Sequence, residues 1–271
     1  MSSQRTNQGP ADGVRGILKL AKSRARGMSV GSTRTEIPIR SRFIRDIEAT
    51  EGATAETPMR RLVAAGSRDG ITLRLYLALI WRCSASPFST DVSAQQWGEL
   101  LALEEPINTY SRRVSKAIKR LENENLISVK REKGRTSLIT LLDESGDGSE
   151  YTRPHYGRNP KNRWVKIPVD LWQNDRFYDL GTPGLAMMLA LLAEAHRDGS
   201  AVWWSPRRFK QRIGLTESTR SRGVKQLVEA GFVTVVREKV PGVRGKFSNE
   251  AVRNTYLLHL DGAPRRRKGG F

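Results

Sequence analysis

The feature that most constrains this 271-residue chain is a repeat inside it. SAQQWGELLAL at 93–103 aligns without a gap on SPRRFKQRIGL at 205–215. Ser93 meets Ser205, Trp97 meets Phe209, Leu101 meets Ile213 and Leu103 meets Leu215. Six residues then drop out of the second copy, and AIKRLENENLISVKRE (117–132) aligns on GVKQLVEAGFVTVVRE (223–238). Lys119 meets Lys225, Leu121 meets Leu227, Leu126 meets Phe232, Val129 meets Val235 and Arg131 meets Arg237. Apolar positions coincide first at helical and then at strand spacing, so the chain is expected to hold two similar units.

Residues 108–142 show what one unit is. Val114, Ala117, Ile118 and Leu121 share one helical face, Arg112, Lys116, Lys119 and Asn123 lie opposite, and Arg113 and Arg120 share a flank. Asn125, which tolerates the left-handed conformation, ends the helix. The period then becomes two: Ile127, Val129 and Arg131 alternate with Ser128, Lys130 and Glu132. Lys133-Gly134-Arg135 turns the chain into a second strand at 137–141. Upstream, ITLRLYLALIWR (71–82) is apolar almost all round and predicts a central helix. A loop at 84–92 follows, and Ser93 is placed to cap a helix over 93–103. Shorter helical patterning at 40–49 and 58–65 leads in.

In the second half, TPGLAMMLALLAEAH (182–196) supplies the matching first helix, with Thr182 as cap and Pro183 at its first position. Residues 201–204 suit a short strand. The second hairpin is longer, with Pro241, Gly242, Gly245 and the cations Arg244, Lys246 and Arg253 within 239–254, before a return strand at 255–260. Residues 164–180 read as the lead-in, their Trp and Phe packing in the core rather than stacking on bases. Residues 143–162, rich in turn formers, read as a linker.

The charge balance points to the partner. With 47 Lys+Arg against 28 Asp+Glu the net charge is +19, which argues for a polyanion, and nucleic acid is the default. Residues 1–35 carry few large apolar groups and read as a disordered basic arm, in which 14–26 could become an amphipathic helix on a polyanion. RRRK at 265–268 reads as a mobile electrostatic tail. No run approaches about 18 apolar residues, and the N-terminal residues lack the apolar core of a secretory signal. The expectation is no membrane and a cytoplasmic location. Cys83, the one cysteine, reads as a small core residue in a reducing compartment.

No catalytic constellation assembles. His155, His196 and His259 are scattered without metal spacing. Gly245-Lys246 is followed by Phe247, so no Walker loop forms, and no G-x-S-x-G elbow occurs. Asp143, Ser145, Asp147 and Gly148 open like a calcium loop, but its twelfth position is Pro154. Glu104, Glu105, Glu122 and Glu124 fit helix ends and exposed faces. The chain is expected not to be an enzyme and to need no cofactor or metal.

Helix, helix, helix and a hairpin with a basic tip resembles the winged helix-turn-helix domain. The tandem pair over residues 58–262 resembles plasmid replication initiators of the Rep type, in which two such domains of one chain grip successive major grooves of an origin repeat. The implied fold is mainly α with short β-hairpins (α+β): two tandem winged helix-turn-helix domains with disordered basic termini. The first domain, with its helical lead-in, would span 36–142, the linker 143–162, the second domain 163–262 and the tail 263–271.

The implied partner is double-stranded DNA, at the nucleoid, with room for a homodimer and for replication or transcription machinery. Arg112, Arg113 and Lys116 would reach base edges, where arginine can bind guanine through two hydrogen bonds. Lys119 and Arg120 would meet phosphate. The tip residues Lys133 and Arg135 would reach phosphate or the neighbouring minor groove. In the second domain Ser218, Thr219, Arg222 and Gln226 would face out beside Lys225, with Arg222 and Gln226 reading bases and Arg220, aligned with Val114, at the helix edge. Arg207, Arg208, Lys210 and Arg212 would line the backbone, and Arg244 and Lys246 would form the second tip. Two other roles share these features: a transcriptional regulator (repressor) occluding an operator, and a structural adaptor in partition or chromosome organisation.

Overall fold

Helix predominates over strand in this chain, about 49% against 17%, and the strands form small antiparallel sheets. The computed structural model describes residues 10–30, 34–49, 51–64, 70–104, 106–155, 163–195, 200–240 and 251–260. The first half runs α1 (Pro10–Ser29), β1 (Glu36–Arg40), α2 (Ser41–Ile44), α3 (Pro58–Ala64), α4 (Thr72–Arg82), β2 (Ser89–Thr90), α5 (Ala94–Leu100), α6 (Ile107–Asn123), β3 (Ile127–Lys130) and β4 (Leu138–Leu141). The second runs β5 (Trp164–Pro168), a 3-10 turn (Val169–Gln173), α7 (Asp175–Tyr178), α8 (Thr182–Glu194), α9 (Pro206–Arg212), α10 (Glu217–Glu229), β6 (Val233–Val240) and β7 (Ala251–Leu258).

One order occurs in both halves: a buried helix, a short extended segment, two further helices and a hairpin. α4 and α8 are apolar on every turn, so each is buried along most of its length and forms the spine of its half. Ser93 caps α5 in a capping box with Gln96, and Ser205 caps α9 by accepting from the Arg208 amide at 3.2 Å. Both helices stop at a left-handed residue, Ala102 (φ 54°) and Gly214 (φ 75°). α6 and α10 stop the same way, at Asn125 (φ 54°) and Gly231 (φ 75°). The next amide then reaches back over the helix end, from Leu126 to the Leu121 carbonyl at 3.0 Å and from Phe232 to the Leu227 carbonyl at 2.8 Å. β4 lies between β2 and β3, and likewise β7 lies between β6 and the bridge at Val202.

The halves are fastened to each other through one core. β1 pairs antiparallel with β5, setting Ile37 opposite Ile167, both buried. Trp81 of α4 stacks on Trp172, with 5.6 Å between ring centres. Arg74 of α4 donates to the Tyr178 carbonyl at 3.1 Å and to that of Leu180, and burial lowers its guanidinium to about 10. Glu194 of α8 accepts from Arg45 and Arg212, each at 2.7 Å. Burial pushes this carboxyl up, but the two guanidiniums bring it below the ordinary carboxylate value.

Several expectations are corrected. Residues 10–29 are not a loose arm but the helix α1, with Ala21 and Ala25 buried, Lys22 paired to Asp175 and Arg24 paired to Glu99, each at 2.6 Å. Small residues four apart give that helix a flat strip on which it lies close to α5. Residues 143–155 are not a linker. Asp143 and Glu144 are buried against Arg42 and Arg40, and Tyr151 packs edge-on against Phe88. The turn formers Gly146 and Gly148, both at positive φ, fold this segment inward.

Residues 156–162, with residues 1–9 of the expected arm and the tail at 263–271, lie outside the described residues. The patterning at 40–49 gives only the single turn α2: β1 takes Arg40 into its ladder, and Arg45, extended at φ −135° and ψ 151°, ends the turn. Gly181, not Thr182, is the N-cap of α8. β3 ends at Lys130, short of Arg131, and the return strand of the second hairpin starts at Ala251, earlier than expected. Among the described residues no helix is long and apolar enough to cross a membrane.

Candidate nucleic-acid interface

α6 is oriented by its apolar face. Val114, Ala117 and Leu121 are buried, and Tyr110 lies over Gly98 of α5 so closely that a Cβ there would collide with its ring. The opposite face is therefore fixed outward, exposing Arg112, Lys116, Lys119 and Asn123 as one stripe. Nearby acids are held by other cations: Glu124 by Arg61 at 2.6 Å, Glu122 by Arg131 at 2.7 Å, and Glu132 by Lys130 at 2.9 Å and Arg135 at 3.3 Å. The Arg131 hydrogen bond holds the Glu122 carboxyl below its ordinary value. Arg112 and Lys116 enter none of these pairs, so their charge stays at the surface. Arg113 is half-buried on the flank.

Arg120 departs from expectation. Its guanidinium donates to the Arg61 carbonyl at 2.7 Å, which turns it back toward α3 and away from a phosphate outside. At the hairpin tip Lys133 and Arg135 are exposed on either side of Gly134, whose φ of 78° suits a tight turn.

In the second half Thr216 caps α10, accepting from the Thr219 amide at 3.2 Å. Gly223 faces α8, where a Cβ would collide with the Pro183 carbonyl oxygen and with Met187. Ser218, Arg222 and Lys225 are exposed on the outer side. Arg222 Nε lies 3.3 Å from the Ser218 carbonyl, along the helix, and Lys225 stands 3.8 Å from exposed Glu229.

Two site assignments are overturned, the first by the close approach of α10 to α8. Gln226 does not face out: its side-chain oxygen accepts from the Gly184 amide at 2.9 Å, satisfying a donor in the first turn of α8. Thr219 is buried, with its hydroxyl 2.9 Å from that of Thr216. Arg220 sits not at the helix edge but in the core. Its guanidinium lies 4.9 Å from the centre of the Phe209 ring and 3.3 Å from the Tyr256 hydroxyl, in the place Val114 holds in the first half.

α9 exposes Arg207, Arg208 and Lys210, Arg207 being paired with Glu51. Arg212 instead belongs to the buried Glu194 pair. Arg244, Lys246 and His196 lie outside the described residues. His155 is exposed, while His259 is buried with its ring nitrogen 3.0 Å from the Thr234 hydroxyl. Burial pushes the Cys83 thiol up to about 12, which suits packing rather than chemistry. Sequence reasoning missed the docked cations of α1, although the Ala21 and Ala25 spacing signalled an apolar strip. Scans of the chain against protein-family models, curated proteins and solved structures found no match in any of the three.

Proposed function

We propose that this chain binds double-stranded DNA, with each half acting as a winged helix-turn-helix unit. α6 and α10 enter successive major grooves, and the β3–β4 and β6–β7 hairpins serve as wings along the backbone. The observation that carries the reading is the stripe of Arg112, Lys116 and Lys119, exposed on a helix whose other face is locked into the core. Arg222 and Lys225 continue the same frame on α10. A guanidinium held outward on a rigid helix can bind a guanine edge bidentately, which discriminates by about 1–3 kcal/mol. The flanking cations Lys119, Lys133, Arg208 and Lys210 meet phosphate, releasing counterions and making affinity strongly salt-dependent.

The firm joint between the halves, through β1–β5 and the Trp81–Trp172 stack, supports the reading of a single continuous DNA site. That is what a plasmid or mobile-element replication initiator needs at an origin repeat. A repressor would use the same surface on an operator. Selection of bound duplexes from a random pool, followed by sequencing, tests the proposal. Enrichment of one site near 20 base pairs supports it. No enrichment over non-specific binding refutes it. Mapping such sites in a genome separates the two roles: direct repeats beside an AT-rich stretch indicate initiation, and a palindrome across a promoter indicates repression.

A further inference from the structure

α6 begins about one turn earlier than α10, and the added turn is Ile107 to Tyr110. The two helices also open differently. α10 starts at Thr216, whose hydroxyl caps it, and carries the exposed carboxylate of Glu217 in its first turn. α6 starts at Pro106, with no side-chain cap and no acid in its first turn. The leading end of α10 therefore sets a negative charge before an incoming polyanion, and that of α6 sets none.

The added turn is held firmly. The Pro106 carbonyl accepts from the amides of Thr109 and Tyr110, at 2.8 and 3.1 Å, and Tyr110 is buried against Gly98. Asn108 stands two positions before Tyr110, about 200° round the helix, and so points away from the core. It stands four positions before Arg112 and eight before Lys116, which places all three on the outward stripe. Asn108 is exposed, and its carboxamide bonds to no described residue. Asparagine stabilises a helix from the cap, which here is Pro106, and is disfavoured inside, so helix stability does not account for it. A carboxamide offers a donor and an acceptor side by side, matched to N7 and N6 of adenine in the major groove.

We infer that Asn108 is a specificity-determining residue that reads adenine, close to the guanine read by Arg112. Four residues of helix rise about 6 Å against about 3.4 Å per base pair, so the two bases lie no more than about two pairs apart. α10 has no matching turn, so the first unit reads a longer segment than the second. The inference rests on the DNA-binding reading and names what one more residue of that interface recognises.

Duplexes selected from a random pool by full-length wild type and by Asn108→Ala are sequenced side by side. Wild type is expected to enrich adenine at one position, and the variant to lose that preference while keeping the others. On the selected duplex Asn108→Ala should lower affinity by about 5- to 150-fold. The slope of log affinity against log salt should stay as in wild type, because no cation is lost. Replacing the adenine by 7-deazaadenine, which lacks N7 but still pairs with thymine, should weaken wild type and leave the variant unchanged. That substitution is read on wild type and so does not depend on how the variant folds. Identical preferences in the two pools, or a variant that weakens all sequences alike, overturns the inference and leaves the groove reading standing. Wild type that enriches no sequence sinks both, and is read before any variant.

Discussion

The two halves stop their helices at matching positions but close them with glycine at different joints. In the first half Gly98 brings α5 against Tyr110 of α6. In the second, Gly223 and Gly184 bring α10 against α8. The consequence is visible in the cations. α6, with Val114 and Ala117 buried on its inner face, turns a full basic stripe outward. α10, drawn onto its spine, turns Gln226 inward to the Gly184 amide but keeps Arg222 and Lys225 exposed, and α9 adds Arg207, Arg208 and Lys210 to the surface of that half. α6, at 17 residues against 13 for α10, is also about one turn longer at its N-terminal end. The lesson is that one backbone plan can present its charge from one helix or from two, according to where the sequence places the cations.

This contrast can be broken or sharpened by substitution. The largest effect is expected at a feature of the first half alone, the buried pair in which Arg40 donates both its backbone amide, at 2.9 Å, and its guanidinium to Glu144. At a pH well above the Glu144 value of about 7, Arg40→Ala leaves the carboxylate uncompensated and should cost roughly 3–5 kcal/mol of unfolding free energy, measured by denaturant titration. A loss below about 1 kcal/mol would mean that Glu144 takes up a proton when Arg40 is removed instead of standing as a buried charge.

Next comes the glycine contrast. Gly223→Ala meets a backbone oxygen that cannot move aside and should cost about 1–3 kcal/mol. Gly98→Ala meets the buried Tyr110 ring along its edge and root and should cost a comparable amount in the same assay. A negligible cost for Gly223→Ala would contradict the close joint between α10 and α8 that turns Gln226 inward. On DNA, Arg112→Ala should weaken binding by about 1–3 kcal/mol and relax preference at one base position. Arg207→Ala, already paired with Glu51, should weaken all sequences alike and by less.

The smallest effect is on pH dependence. Burial holds the Glu144 carboxyl up to about 7, above its ordinary 4.5, despite Arg40. The folded chain therefore binds this proton more tightly than the unfolded one does. Its contribution is full below 4.5 and is lost as pH rises through about 7. Wild type should lose melting temperature relative to Glu144→Gln across that window, and a difference that stays flat would show Glu144 ionised throughout.

Much of the frame was legible because local chemistry dictates it. Ser93 and Ser205 cap helices wherever such residues precede an amphipathic run, and Asn125 and Gly231 take the left-handed stop that follows. What was not legible depends on partners remote in sequence. β1 finds β5, and Arg40 finds Glu144 at 104 positions away, through contacts that no periodicity announces. Turn formers at 143–155 look like linker from composition alone, yet they bury two carboxylates. The inward turn of Gln226 follows from two glycines on different helices, a pairing that one-dimensional patterning does not reveal. Arg220 was foreshadowed by its alignment with Val114, since a cation in a core slot calls for the aromatic neighbours that Phe209 and Tyr256 provide.

A hydroxyl-radical footprint of the full chain on its selected duplex, repeated with Arg222→Ala/Lys225→Ala, addresses the shared-duplex proposal most directly. Two protected groove segments within one site of about 20 base pairs are expected, with the variant exposing one segment and leaving the other. A single protected segment in wild type, or two segments that the variant weakens equally, would contradict a duplex held by both halves at once.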